Sequence, residues 1–161
     1  MSYHNFYELD VWKQARHFKR RIYEVIKLFP HTERFGLASQ LSRAAASVPA
    51  NLAEGHGRQT VKDELHFCIM ARGSLSEIQN HLIDAKDRSY LSDEMLLQLK
   101  LEWDKTRRIL NGYIAFQRSR ISPGNSENGE VHETDQLYNA DEAVFTPEDP
   151  TDFHRNLARS E

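Results

Sequence analysis

Val48-Pro49-Ala50-Asn51-Leu52-Ala53-Glu54-Gly55-His56-Gly57-Arg58 is the stretch on which the fold turns. Together with the residues before it, it carries two helical ladders. Leu37, Leu41, Ala44, Val48 and Leu52 recur at steps of three and four, so they share one face of a 3.6-residue helix, and that face must be buried. Gln40, Arg43, Ser47, Asn51, Glu54 and Arg58 follow the same steps on another side. Such a polar ladder either faces water or pairs with a second surface, and the period alone does not choose. Pro49 sits inside the pattern and lacks an amide hydrogen, so it loses the bond to Ala45 and is expected to bend the helix rather than end it. Gly55 and Gly57 are read as its terminators.

Working outward, three more helices emerge. The first runs from Phe6 or Asp10 to Leu28, with Trp12, Ala15, Phe18, Ile22, Ile26 and Phe29 as its inner face and Pro30 as its stop. Asn5 with Glu8 is one candidate cap, and Asp10 is the competing start. Thr32 and Glu33 are read as opening the second helix. Thr60 with Asp63 caps a third, which reaches about Arg88 along a heptad seam that includes Cys68, Leu75 and Leu82. Ser92, Asp93 and Glu94 open the fourth, whose seam is Leu96, Leu99, Trp103, Thr106, Leu110 and Tyr113. Short links between long helices favour antiparallel neighbours. The expected fold class is therefore all-α, an up-down-up-down four-helix bundle crossing at about 20°. Gly73, inside the third helix, costs about 1 kcal/mol relative to Ala, and close packing against Ala44 to Ser47 is read as its reason.

Charge divides the chain. Residues 1–120, the expected bundle domain, hold 19 bases and 14 acids, a surplus of +5. Residues 121–161 hold ten acids against Arg155 and Arg159, a charge of −8, so the total of −3 hides a basic body joined to an acidic tail. The tail has Pro123, Pro147 and Pro150 and few apolar residues to offset ordering entropy, so it is read as disordered, with a short helix over 134–144 as an open alternative. Cys68 is the only cysteine, which excludes an intramolecular disulfide and suits a small buried hydrophobe in a reducing compartment. No apolar run has bilayer length, and Met1-Ser2-Tyr3-His4-Asn5 lacks a secretory pattern. The expectation is a soluble, cytoplasmic protein with no membrane partner.

Catalytic signatures are missing. A bundle di-iron site needs Glu-x-x-His pairs, and none occurs; Asp63 with His66 gives one Asp-x-x-His, better explained by a cap and a surface histidine. No histidine follows an arginine by four to six residues, as helical ribonucleases of the toxin type require. Phosphate-cradling glycine loops, zinc-finger spacings and serine nucleophile motifs are also absent. The expectation is no enzyme activity, no cofactor and no metal.

Phe35-Gly36-Leu37, Gln40, Arg43-Ala44-Ala45, Asn51-Leu52-Ala53-Glu54-Gly55, Gly57-Arg58 and Gly73-Ser74-Leu75-Ser76-Glu77 resemble the recurring motifs of one family. Asp10-Val11-Trp12, Phe29-Pro30 and Tyr90-Leu91-Ser92 extend the likeness over roughly residues 5 to 120. The family is that of the four-helix bundle proteins first met as reading frames inside intervening sequences of bacterial 23S ribosomal RNA genes. More distantly the chain resembles the accessory proteins of diversity-generating retroelements, pentameric bundles that bind a reverse transcriptase and nucleic acid. The likeness implies a homo-oligomer, by analogy a homopentamer.

Two functional expectations result. The first is a non-enzymatic oligomer that binds RNA or DNA, or accompanies an enzyme that does. Its phosphate contacts would be Lys13, Arg16, Lys19, Arg20, Arg58 and Lys62, with Arg107, Arg108, Arg118 and Arg120 near the end of the bundle. With no aromatic-studded strand surface, shape and charge are expected to dominate over base stacking. Gln40, Arg43, Ser47, Asn51, Glu54 and Arg58 would hold subunits in register. The second is a scaffold for a co-encoded protein such as a reverse transcriptase, bound through a bundle face or the acidic tail.

Overall fold

Four long helices account for most of residues 5–121, the part of the chain that the structure, a computed structural model, describes. The acidic tail, with the disorder and the short helix weighed for it, lies outside the described residues. α1 spans Asp10–Ile26, α2 Leu37–His56, α3 Val61–Asp87 and α4 Asp93–Ile121. No helix among them is long and apolar enough to cross a membrane.

Of the two possible starts for α1, Asp10 prevails. Phe6–Glu8 is a separate 3-10 turn, and Asn5 makes no side-chain cap; its Nδ2 donates instead to the Tyr7 hydroxyl at 2.6 Å. The buried face of α1 is Val11, Gln14, Ala15, Phe18, Ile22 and Val25, while Trp12 and Ile26 are half-buried. That face is wider than a single stripe because α1 packs against both α2 and α4.

α2 begins five residues later than Thr32, at Leu37. Residues 31–35 form a 3-10 helix instead, and Gly36 breaks the chain direction before α2 starts. Glu33 acts as the cap from a distance: its Oε2 accepts from the Leu37 amide at 2.8 Å. Its Oε1 takes the Tyr90 hydroxyl at 3.0 Å and the Arg88 guanidinium at 3.1 Å, joining this connection to the one between α3 and α4. α2 then continues unbroken through the buried Pro49 to His56.

Thr60 caps α3 as its spacing suggests: its Oγ1 accepts from the Asp63 amide at 3.0 Å and donates to the Asp63 carboxylate at 2.7 Å. α3 ends in a Schellman turn, with Tyr90 N–H bonded to Ala85 O at 2.9 Å and Ser89 N–H to Lys86 O at 2.8 Å. Ser92 Oγ accepts from the Met95 amide at the start of α4.

Each helix packs on its neighbour in sequence and α1 closes on α4; α1 with α3 and α2 with α4 stay apart as diagonals. Phe18, Ile22, Leu41, Leu75, Ile78, Leu99, Leu110 and Ile114 fill the centre. Three polar side chains are bonded there, whereas Nε2 of the fully buried Gln117 finds no hydrogen-bond partner among the described residues. Gln14 Nε2 donates to Thr106 Oγ1 at 3.1 Å, Thr106 Oγ1 donates to the Glu102 carbonyl, and Trp103 Nε1 donates to Leu75 O at 2.8 Å.

The close approach of α2 and α3 does not involve Gly73. A Cβ placed on Gly73 meets nothing within 4 Å, because Gly73 points outward. One on Gly55 would stand 2.8 Å from Phe67 Cβ and 3.1 Å from Glu64 O. Gly55, expected only as a terminator, is the glycine that packing requires.

Candidate nucleic-acid interface

Formal charge is unevenly shared among the helices. α1 holds five cations against two carboxylates and α4 six against four. α2 has one of each, and α3 has three cations against five acids. Since α1 and α4 are adjacent, the cationic surplus of the body falls on one side of the bundle.

On α1, Lys13, Arg16 and Arg20 are exposed and Lys19 is half-exposed. Lys13 pairs with Asp10 at 3.4 Å. Arg16 lies over the Trp12 ring at 5.8 Å and the Lys19 ammonium 5.6 Å from the Tyr23 ring centre, contacts that steady a side chain without neutralising it. On α4, Arg108 is exposed, whereas Arg107 is half-buried over Trp103 at 5.3 Å with Asp104 at 3.9 Å. Arg118 is half-buried and already engaged. The candidates on these two helices are thus partly engaged: Lys13, Arg16, Arg20 and Arg108 are exposed, whereas Arg107 leans over Trp103, which bonds α3.

Arg58, Lys62 and Arg120 lie elsewhere. Arg58 pairs with Glu54 one turn back and covers the Phe67 ring at 4.7 Å, while Lys62 is exposed in the first turn of α3. Arg120 belongs to a polar cluster centred on Glu64, which is largely enclosed. The Tyr113 hydroxyl donates to Glu64 Oε1 at 2.6 Å, Arg120 stands 3.6 Å from Oε2, and His56 Nδ1 lies 3.9 Å from Oε1. Arg120 also donates to the buried Gln117 Oε1 at 2.7 Å. Burial, reinforced by the Glu64 carboxylate, pushes the Tyr113 phenol well above its ordinary range. Burial likewise pushes the neighbouring Cys68 thiol up to about 12, with Glu64 adding to it. These groups come from α2, α3 and α4, and no spacing in the sequence reveals their convergence.

The α2 ladder divides into three parts. Ser47 Oγ shares a hydrogen bond with Ser74 Oγ on α3 at 2.9 Å, and Asn51 Nδ2 donates to Ser47 O and Oγ. Glu54 and Arg58 pair with each other. Gln40 and Arg43 are exposed, and Arg43 lines a groove between the end of α1 and the start of α2. That groove, with Arg34 on its rim, had no signature in the sequence. Among the described residues no three His, Cys, Asp or Glu side chains converge as a metal site.

Comparison with known proteins adds a family and a fold. A family profile described as 23S rRNA-intervening sequence protein matches residues 7–112. The crystal structure of a protein with unknown function from the S23 ribosomal protein family of Bacteroides thetaiotaomicron is similar, with a TM-score of 0.60 at 20% identity. The match covers 65% of this chain and 97% of that one. A search of curated proteins finds no match.

Proposed function

Since the chain belongs to the 23S rRNA-intervening sequence protein family and carries its cations on α1 and α4, we propose that it is a non-enzymatic, homo-oligomeric, cytoplasmic protein that binds nucleic acid or accompanies an enzyme that does. The observation carrying this reading is the segregation of charge: one side of the bundle is basic, while α2 and α3 together are net acidic. Subunits of like charge associate best through the latter side, where Ser47, Ser74 and Asn51 already form a hydrogen-bonded seam. We infer a pentamer from the resemblance of the sequence motifs to the retroelement accessory proteins alone. A ring of five bodies, each +5 by sequence before its −8 tail is counted, would present a strong positive potential to a phosphate backbone.

The test joins mass measurement in solution with binding of labelled RNA and DNA across a salt series. A discrete oligomer is expected, with affinity falling at a log–log slope of about −5 on duplex DNA if six phosphates are contacted. A monomer that binds no polyanion at low salt would overturn the reading.

A further inference from the structure

Building on the reading that this protein binds nucleic acid, we infer that the groove between the end of α1 and the start of α2 holds one nucleotide of a single strand, its phosphate on Arg34 and Arg43 and its base against Tyr23. The groove encloses about 580 Å³. That lies within the range of about 300 to 1,000 Å³ usual for small-ligand sites.

Its lining contains no carboxylate. Lys27 is held by Glu24 at 2.8 Å, but Arg34 only covers the Phe35 ring, and no ion pair occupies Arg34 or Arg43 among the described residues. Two guanidinium forks suit a phosphate, and the hydroxyls of Ser39 and Ser42 offer further donors beside them. Tyr23, Ile26 and Phe29 supply an apolar wall on which a flat ring can rest. This departs from the expectation that shape and charge dominate over base stacking: a lone Tyr on a helix has no meaning in sequence, but the turn at Pro30 brings α2 alongside it.

A single strand fits better than a duplex, whose bases stay stacked inside and would leave that wall empty. It also fits better than an acidic peptide because of what leads into the groove. Arg16, Lys19 and Tyr23 follow one another along α1 at steps of three and four residues, about 5 to 6 Å apart along the axis. Two cations followed by an aromatic ring suit a strand that carries both phosphates and flat bases, whereas an acidic peptide would leave the ring unused.

The experiment uses the full chain, a short oligouridine containing 4-thiouridine, a duplex of the same length and a charge-matched acidic peptide. In the R34A/R43A variant, whose changes touch no core residue, the single-strand salt slope should become shallower by about 0.7, the loss of one neutralised phosphate. Y23L, which keeps the apolar bulk, should weaken single-strand binding by roughly fivefold or more and leave the duplex unchanged. Photocrosslinks should map to residues 23–43. Single-strand binding that both variants leave intact, with crosslinks confined to α4, would overturn the groove while sparing the broader reading. So would a peptide that alone responds to these changes, and absence of all nucleic-acid binding at low salt would remove both.

Discussion

Gly55 of α2 stands so near Phe67 of α3 that a methyl group in place of its hydrogen would lie 2.8 Å from the Phe67 Cβ. Backbone oxygen and a packed Cβ surround that point, so neither neighbour is the far end of a flexible side chain. The contact fixes how closely α2 and α3 approach at the end of the bundle where Glu64, Tyr113 and His56 meet. G55A is therefore expected to lose about 1 to 3 kcal/mol in urea denaturation, the usual cost of overpacking. G73A is the control. With open space around its Cβ it should gain up to about 1 kcal/mol from helix propensity. Equal stabilities for the two variants would refute the packing assignment.

The turn that ends α3 carries a second measurable strain. Ser89 has φ of 60°, in the left-handed region, and it is the only non-glycine residue with positive φ among those described. It occupies the Schellman position where glycine is usual, because Tyr90 must fold back to bond Ala85. A Cβ there costs about 1 kcal/mol or more, part of which glycine returns as unfolded-state entropy. S89G should stabilise the fold by about 0.5 to 1 kcal/mol, read as a rise in the thermal midpoint with no change in helical signal.

These two positions show what the sequence could and could not convey. Apolar periodicity reported the four helices and most of the core, since burial of one stripe is a local consequence of a 3.6-residue repeat. Thr60 and Ser92 were legible as caps because their partners lie three residues away. Glu33 was not legible as a cap: it acts through a 3-10 turn and gathers Tyr90 and Arg88 from the far side of the chain. The same holds for the site. α1 and α4 were recognisable as basic, but their adjacency, the Glu64 cluster and the groove beside Arg43 are products of packing that no spacing encodes.

The ties of Glu33 predict an acid response. Its carboxyl is held below the ordinary value of 4.5, first by the Leu37 amide, then by the Tyr90 hydroxyl, with Arg88 adding to both. A carboxyl depressed in the folded state stabilises above its unfolded value, and that contribution is lost as pH falls through the folded value. Stability should therefore decline below about pH 4.5 with a component that E33Q removes. Urea midpoints for parent and variant, compared from pH 7 down to pH 3, check this. If the two curves stay parallel, Glu33 does not link the connections as described.

Cys68 predicts the opposite limb. Its thiol is 1% exposed and pushed up to about 12 from an ordinary 9.0, by burial first and the Glu64 carboxylate second. A group raised in the folded state stabilises fully below its unfolded value and loses that contribution as pH rises from about 9 towards 12. At pH 8 the native chain should hold about a thousandfold less thiolate than an exposed cysteine, besides being closed to reagent. Labelling by a disulfide reagent should be negligible in buffer and should become rapid in urea, tracking the unfolded fraction. C68A should remove the labelling and lose about 1 kcal/mol or more, because the sulfur fills space between α3 and its neighbours. Fast labelling of the folded protein would mean that the α2–α3–α4 end opens locally, and the enclosed Glu64 cluster would then have to be redrawn.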